Sequence, residues 1–216
     1  MTEPPRISVL AGVNGAGKSS LGGAMIRASG GQYYNPDEIA AKLIAANPGL
    51  DQARANALAW LKGTELLQRA IDDRLDFAIE TTLGGATIPQ KLTAAADAGI
   101  QVRVLYVGLS SPELHLRRVR NRVAAGGHDI PEIDIRRRWR HSRMNLISLL
   151  PALAELRVYD NSVDGDPKTG QTPRPSLVLH VVGTQIAAPP DLTCVPAWAR
   201  PIAAAAMKLA LGSGPE

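Results

Sequence analysis

Three glycines, a lysine and two serines stand together in "AGVNGAGKSS", Ala11 to Ser20. Packing does not ask for this composition, since a helix interior loses about 1 kcal/mol for each glycine in place of alanine. Backbone that must approach another group closely does ask for it. The spacing Gly12-x-x-x-x-Gly17-Lys18-Ser19 matches the P-loop pattern. A short apolar run, Arg6 to Leu10, precedes it, and "LGGAMIRA" follows as a helix start. Strand, glycine loop and helix in that order make a phosphate cradle, helped by the positive end of the helix dipole. Gly12, Asn14, Gly15, Ala16, Gly17, Lys18, Ser19 and Ser20 are therefore the candidate ATP-binding residues. Lys18 reaches the β- and γ-phosphates, and the Ser19 hydroxyl is the candidate Mg²⁺ ligand.

Further chemistry is expected at the ends of the next strands. Asp37 follows a short β-like run in "NPDEIA". A helix start accounts for that segment equally well, with Asn35 as cap, Pro36 in the first turn and Glu38 closing a capping box. Glu80, Thr81 and Thr82 end the apolar run "DFAIETT". Phosphoryl transfer to an alcohol needs a positioned phosphate, cations and a carboxylate that accepts the hydroxyl proton. Asp37 suits the base, and Glu80, Thr81 and Thr82 suit contacts to a hydroxylated acceptor. Either carboxylate could instead hold a magnesium-bound water.

Nine arginines between Arg117 and Arg143 face three acidic residues, Asp129, Glu132 and Asp134. Arg118 and Arg122 are four apart and share a helix face. Gly126, Gly127 and Pro131 separate two arginine-bearing helices, the pattern of a lid at about 117–143 that closes over phosphates. Nucleic-acid binding ranks lower as a reading of the cluster, because the aromatic interleaving that reads bases is nearly absent and Trp139 stands alone. His128 and His141 lack a second ligand at metal spacing. Cys194 is expected to be a small buried hydrophobe.

The elements that must position these residues alternate. Strands are expected at 6–11, 31–35, 76–82, 100–109, 156–161 and 176–183. Helices are expected at 17–29, 36–47, 51–73, 88–98, 112–125, 134–150 and in the alanine-rich stretch 202–211. Alternation of this kind predicts an α/β fold, a P-loop NTPase-type parallel sheet with helices on both faces. Ligands of such sheets lie at the C-terminal strand ends, which brings Lys18, Asp37 and Glu80 toward one rim. Residues 1–183 are expected to form the kinase domain and 184–216 a Pro/Ala-rich extension dispensable for chemistry.

The chain has 216 residues, 45% hydrophobic and 20% charged, with a net charge of +4. That length suits one α/β domain with a full core. A single cysteine excludes an internal disulfide framework and fits a reducing, cytoplasmic setting. Neither a signal-peptide pattern nor an apolar run long enough to span a membrane is expected.

Six separated segments resemble the zeta-toxin family of P-loop kinases: "AGVNGAGKSS", "NPDEIA", "AIETTLGG", "VGLSSPELHLRRVRNRVAAGGHDIP", "IRRRWRHSRMNL" and "VYDNS". The resemblance covers roughly Ile7 to Ser162. It implies ATP and magnesium as cofactors and phosphorylation of a hydroxyl on a sugar nucleotide such as UDP-N-acetylglucosamine. By position it implies Lys18 at the phosphates, Ser19 on magnesium, Asp37 as proton acceptor, and Glu80 and Thr82 at the acceptor. Lid arginines fall on Arg122 and Arg138, and Asn161 borders the adenine. A separate antitoxin protein is a further implied partner. The other readings are a kinase of another small metabolite and a non-catalytic ATP- or nucleic-acid-binding protein.

Overall fold

The protein is described by a computed structural model over residues 3–19, 33–163 and 175–212. The expected helix after the P-loop begins at Lys18 and Ser19. Its continuation, Ser20, and the linker 164–174 lie outside the described residues.

Seven strands form one sheet in the order β2-β3-β1-β4-β5-β6-β7. They are β1 (Arg6–Ala11), β2 (Tyr33–Tyr34), β3 (Phe77–Thr81), β4 (Gln101–Gly108), β5 (Glu155–Asp160), β6 (Ser176–Val182) and β7 (Gln185–Ala188). The helices are α1 (Pro36–Ala46), α2 (Gln52–Asp72), α3 (Thr87–Asp97), α4 (Pro112–Ala124), α5 (Glu132–Leu149) and α6 (Arg200–Gly212). β2, β3, β1, β4 and β5 pair in parallel, as the strand–helix alternation predicts. β6 and β7 pair antiparallel, because a short turn rather than a helix joins them. The sheet is thus mostly parallel, a mixed α/β fold.

β7 corrects the expectation that β6 is the last strand. The segment after Gly183 adds this strand and then packs into the main core through Val195, Trp198, Ile202 and Ala206. Trp198 lies flat against the end of β4, where a Cβ on Gly108 would fall 2.2 Å from its Cη2. Cys194 is exposed, contrary to expectation, because it sits on a short 3-10 turn at the surface.

Register sets the site. β1 and β3 pair with Leu10 opposite Glu80 and Ala11 opposite Thr81, so β3 ends level with the entry to the P-loop. Tyr34 of β2 pairs with Ile79, which brings Asn35 beside Glu80. The Tyr34 ring is buried and its hydroxyl donates to the Ala59 carbonyl, which fixes α2 over β2. α2 approaches closely because its buried stripe is small: Ala55, Ala59 and Gly63 precede Leu67 and Ala70. Among the described residues, no helix is long and apolar enough to cross a membrane.

Candidate active site

The P-loop is held from beneath as its glycines require. Gly12 has φ +141°, and a Cβ there would lie 2.2 Å from the Val107 carbonyl oxygen. No other residue fits. Asn14 is buried, and its side-chain oxygen accepts a hydrogen bond from Arg138 Nη1 at 2.8 Å. Its carbonyl pairs at 2.8 Å with His115 Nδ1, which must carry the proton because a carbonyl only accepts. Burial pushes the His115 pKa down to about 4, and the positive charges of Lys18, Arg118 and Arg143 add to that; the bond to Asn14 works against it. His115 is therefore a neutral imidazole that donates upward to the loop.

Asn161 does the same from the other side. Its Nδ2 donates to the Ala16 carbonyl at 2.8 Å, and its own carbonyl accepts from Arg118 Nη2 at 2.7 Å. The residue expected beside an adenine thus touches the P-loop backbone.

Glu80 collects four donors. Its carboxylate lies 3.4 Å from Lys18 Nζ, with both side chains 7% exposed. It also accepts from Tyr33 Oη at 2.6 Å, Asn35 Nδ2 at 3.2 Å and Ser19 Oγ at 3.2 Å. A buried carboxylate needs such partners, and Glu80 has them. Ser19 and Glu80 together offer a hydroxyl and a carboxylate, hard oxygen donors of the kind Mg²⁺ takes alongside phosphate oxygens. Asp37 stands exposed in the first turn of α1. Asn35 caps that helix, accepting from the N–H groups of Asp37 and Glu38, while its Nδ2 reaches Glu38 Oε1 at 3.3 Å.

Lys18, Asp37, Glu80, Thr81, Thr82 and Arg138 line one cavity of about 420 Å³. The two threonine hydroxyls also accept from the N–H groups of Leu83 and Gly84, shaping the turn after β3. Leu83 holds φ +50° there, an uncommon conformation for leucine. Asn145 of α5 fixes this turn by donating to the carbonyls of Leu83 and Gly85.

The two candidate lid arginines separate. Arg138 reaches the P-loop and lines the cavity. Arg122 does not line it. Its Nη2 donates to the His128 carbonyl at 3.0 Å, its Nε is buried without a partner, and its stem lies against Gly127. Both are partly buried rather than on open helix faces. Of the others, Arg136 pairs with Glu113 and Glu132, Arg137 with Asp134, and Arg143 stacks on Trp139 at 3.5 Å.

Sequence reasoning passed over His115, Tyr33, Asn35 as a partner of Glu80, and Trp60. His115 carries a faint signal, a titratable side chain among the apolar residues Leu114, Leu116 and Val119. Trp60 carries a stronger one, a large aromatic beside the small residues Ala55, Ala59 and Gly63 of its helix.

A glycine cradle with its lysine, a mostly parallel sheet flanked by helices, and carboxylates at the neighbouring strand ends define a P-loop kinase-like fold. Residues 7–142 match the AAA domain family, and the chain belongs to it. An uncharacterized protein of Haemophilus influenzae is 33% identical over 128 residues, 59% of this chain and 88% of that protein. Among solved structures, the AvrRxo1-ORF1:-ORF2 complex with ATP superposes with a TM-score of 0.65 at 15% identity, over 86% of this chain and 60% of that one. The PezAT chromosomal toxin–antitoxin system of Streptococcus pneumoniae superposes with a TM-score of 0.55 at 16% identity, over 80% and 75% of the two chains. At these identities the likeness is one of fold. This chain spans about 60% of the length of the AvrRxo1 chain it matches.

Proposed function

We propose that the protein is an ATP-dependent small-molecule kinase that transfers the γ-phosphoryl group to an acceptor hydroxyl. The observation that carries this reading is that Lys18, Asp37, Glu80 and Arg138, from four separate segments, line one cavity. ATP with magnesium supplies the phosphoryl group and part of its charge neutralisation. The main chain of Gly15 to Ser19 binds the phosphates, Lys18 leaves Glu80 to follow them, and Ser19 with Glu80 holds the metal side. Arg138 steadies the equatorial oxygens. Asp37, the more open carboxylate, accepts the acceptor's proton. The α4–α5 pair closes over the site through the Gly126–Gly127 turn, and Asn161 keeps the loop in shape.

Incubation with ATP, magnesium and a panel of hydroxyl compounds, with products weighed by mass spectrometry, tests the activity. Asp37→Asn keeps shape and a fair helix start while losing the base. Turnover is expected to fall roughly 10²–10⁴-fold with ATP affinity retained. Full turnover in that variant would remove Asp37 from the mechanism.

The zeta-toxin resemblance supports a nucleotide sugar such as UDP-N-acetylglucosamine as acceptor, whereas the lining of the acceptor half supports a simpler one. The AvrRxo1 and PezAT structures are of two-protein systems, which supports the expectation of a separate antitoxin-like partner. Co-purification from the native host tests it.

A further inference from the structure

The half of the cavity away from the P-loop has a chemistry of its own. Asn56, Trp60 and Thr64 follow one another at four-residue spacing on α2 and line the same wall. Trp60 is 45% exposed there, although it neighbours the buried stripe of its helix. The other two tryptophans are engaged, Trp198 against Tyr106 and Trp139 beneath Arg143. An indole in a cavity wall offers an apolar face of known preference: flat or saturated rings, and cations.

The charges around that face select among such rings. Asp37, Asp129 and Asp134 border the cavity. Asp129 also accepts from the Ile130 N–H at 2.8 Å, and Asp134 pairs with Arg137. Among the described residues, the basic side chains of the lining are Lys18, Arg138 and His128. Lys18 and Arg138 are tied to Glu80 and Asn14 at the P-loop, where the nucleotide phosphates belong. His128 lies beside Asp129 in the α4–α5 turn. The three carboxylates that share this lining disfavour a second phosphate or diphosphate in the cavity.

We infer that the acceptor is a phosphate-free cyclic polyol, neutral or amine-bearing, whose ring lies on the Trp60 indole with one hydroxyl turned toward Asp37. This rests on the kinase reading above. The acceptor oxygen forms its bond to the γ-phosphorus as the bond to the β–γ bridging oxygen breaks. ADP leaves with that electron pair, and the hydroxyl proton passes to Asp37 and then to water.

The full chain is incubated with ATP, magnesium and, separately, glucosamine, myo-inositol, a hexose phosphate and UDP-N-acetylglucosamine. Glucosamine or myo-inositol is expected to gain one phosphoryl group in preference to the two phosphate-bearing compounds. Trp60→Ala is expected to raise the KM for that ring roughly tenfold while the KM for ATP holds, and Trp60→Phe to recover most of the loss. Preference for UDP-N-acetylglucosamine or the hexose phosphate would overturn the inference and leave the kinase reading standing. So would an unchanged KM in a folded Trp60→Ala. Phosphorylation of none of the four overturns it as well. Failure of the kinase reading itself has a separate mark, no Lys18-dependent phosphoryl transfer to any compound of the wider hydroxyl panel.

Discussion

His115 gives a quantitative test of how the P-loop is supported. Its pKa falls from 6.5 to about 4 on folding because burial penalises the charged ring. The folded value lies below the unfolded one, so the unfolded chain takes up the proton first. The stability that the neutral ring contributes is therefore complete above pH 6.5 and is lost as the pH falls toward 4. At 1.36 kcal/mol for each pH unit, the full loss is about 3 kcal/mol, with roughly 2 kcal/mol gone by pH 5. Glu113, held low first by its hydrogen bond from Arg136, and Asp191, held low by the Thr193 N–H, are unaltered by a change at His115 and so cancel between the native protein and a His115 variant. Urea denaturation at intervals from pH 7.5 to 4.5 measures the loss, about 2 kcal/mol between pH 7 and 5 by the same principle. His115→Asn keeps a donor near the Asn14 carbonyl but does not titrate, so its stability should change less over that range by this amount. ATP affinity should fall with the same acid midpoint, because Asn14 also receives Arg138. Parallel pH profiles for the native protein and the variant would refute the reasoning. So would an imidazole that titrates above pH 6 in the folded protein by NMR.

Lys18→Ala should abolish ATP turnover and also cost stability, about 3 kcal/mol, because it leaves the Glu80 carboxylate buried without its cation; adding Glu80→Gln should restore stability but not turnover in the same assays. Trp198→Ala should cost about 3–5 kcal/mol in urea denaturation, since the indole fills the space over Gly108, and a loss below 1 kcal/mol would refute that packing account. Arg138→Ala should lower turnover far more than stability, whereas Arg122→Ala should chiefly loosen the turn at Gly127 and His128, about 1–2 kcal/mol of stability, read by hydrogen exchange across residues 125–131.

The P-loop side of the cavity was legible because its pattern is local. Backbone donors, a lysine and a hydroxyl must sit within eight consecutive residues, so spacing alone exposes Gly12 to Ser19. Parallel pairing was legible for a related reason. Apolar runs alternating with helical stretches leave little choice but parallel pairing, and β1, α2 and β4 fall within a residue or two of expectation. The strand β7 stayed hidden for want of periodicity. Four residues, Gln185 to Ala188, are too few to announce a strand, and they become one only because β6 presents an edge to pair with. Prolines and alanines in the tail suggest an appendage, and small residues are also what lets a helix pack closely beneath α5.

The rest of the cavity was illegible because its walls lie far apart in sequence. Its walls come from the middle of α2, the turn after β3 and the turn between α4 and α5, which meet only through the order β2-β3-β1. Arg122 and Arg138 make the same point from the other direction. Both sit in arginine-rich helices and look alike in sequence. One points at its own helix end, held by a carbonyl six residues on, and the other crosses to Asn14, 124 residues away. Composition marks where cations are plentiful. Only the packing of α5 on the β3 turn, through Asn145 and the close contact of Arg138 with Gly84, selects the one that reaches the P-loop. Glycine at 84 is then required by Arg138 as much as by the turn. A Cβ there would stand 2.8 Å from Arg138 Cγ, so the arginine stem would have to shift.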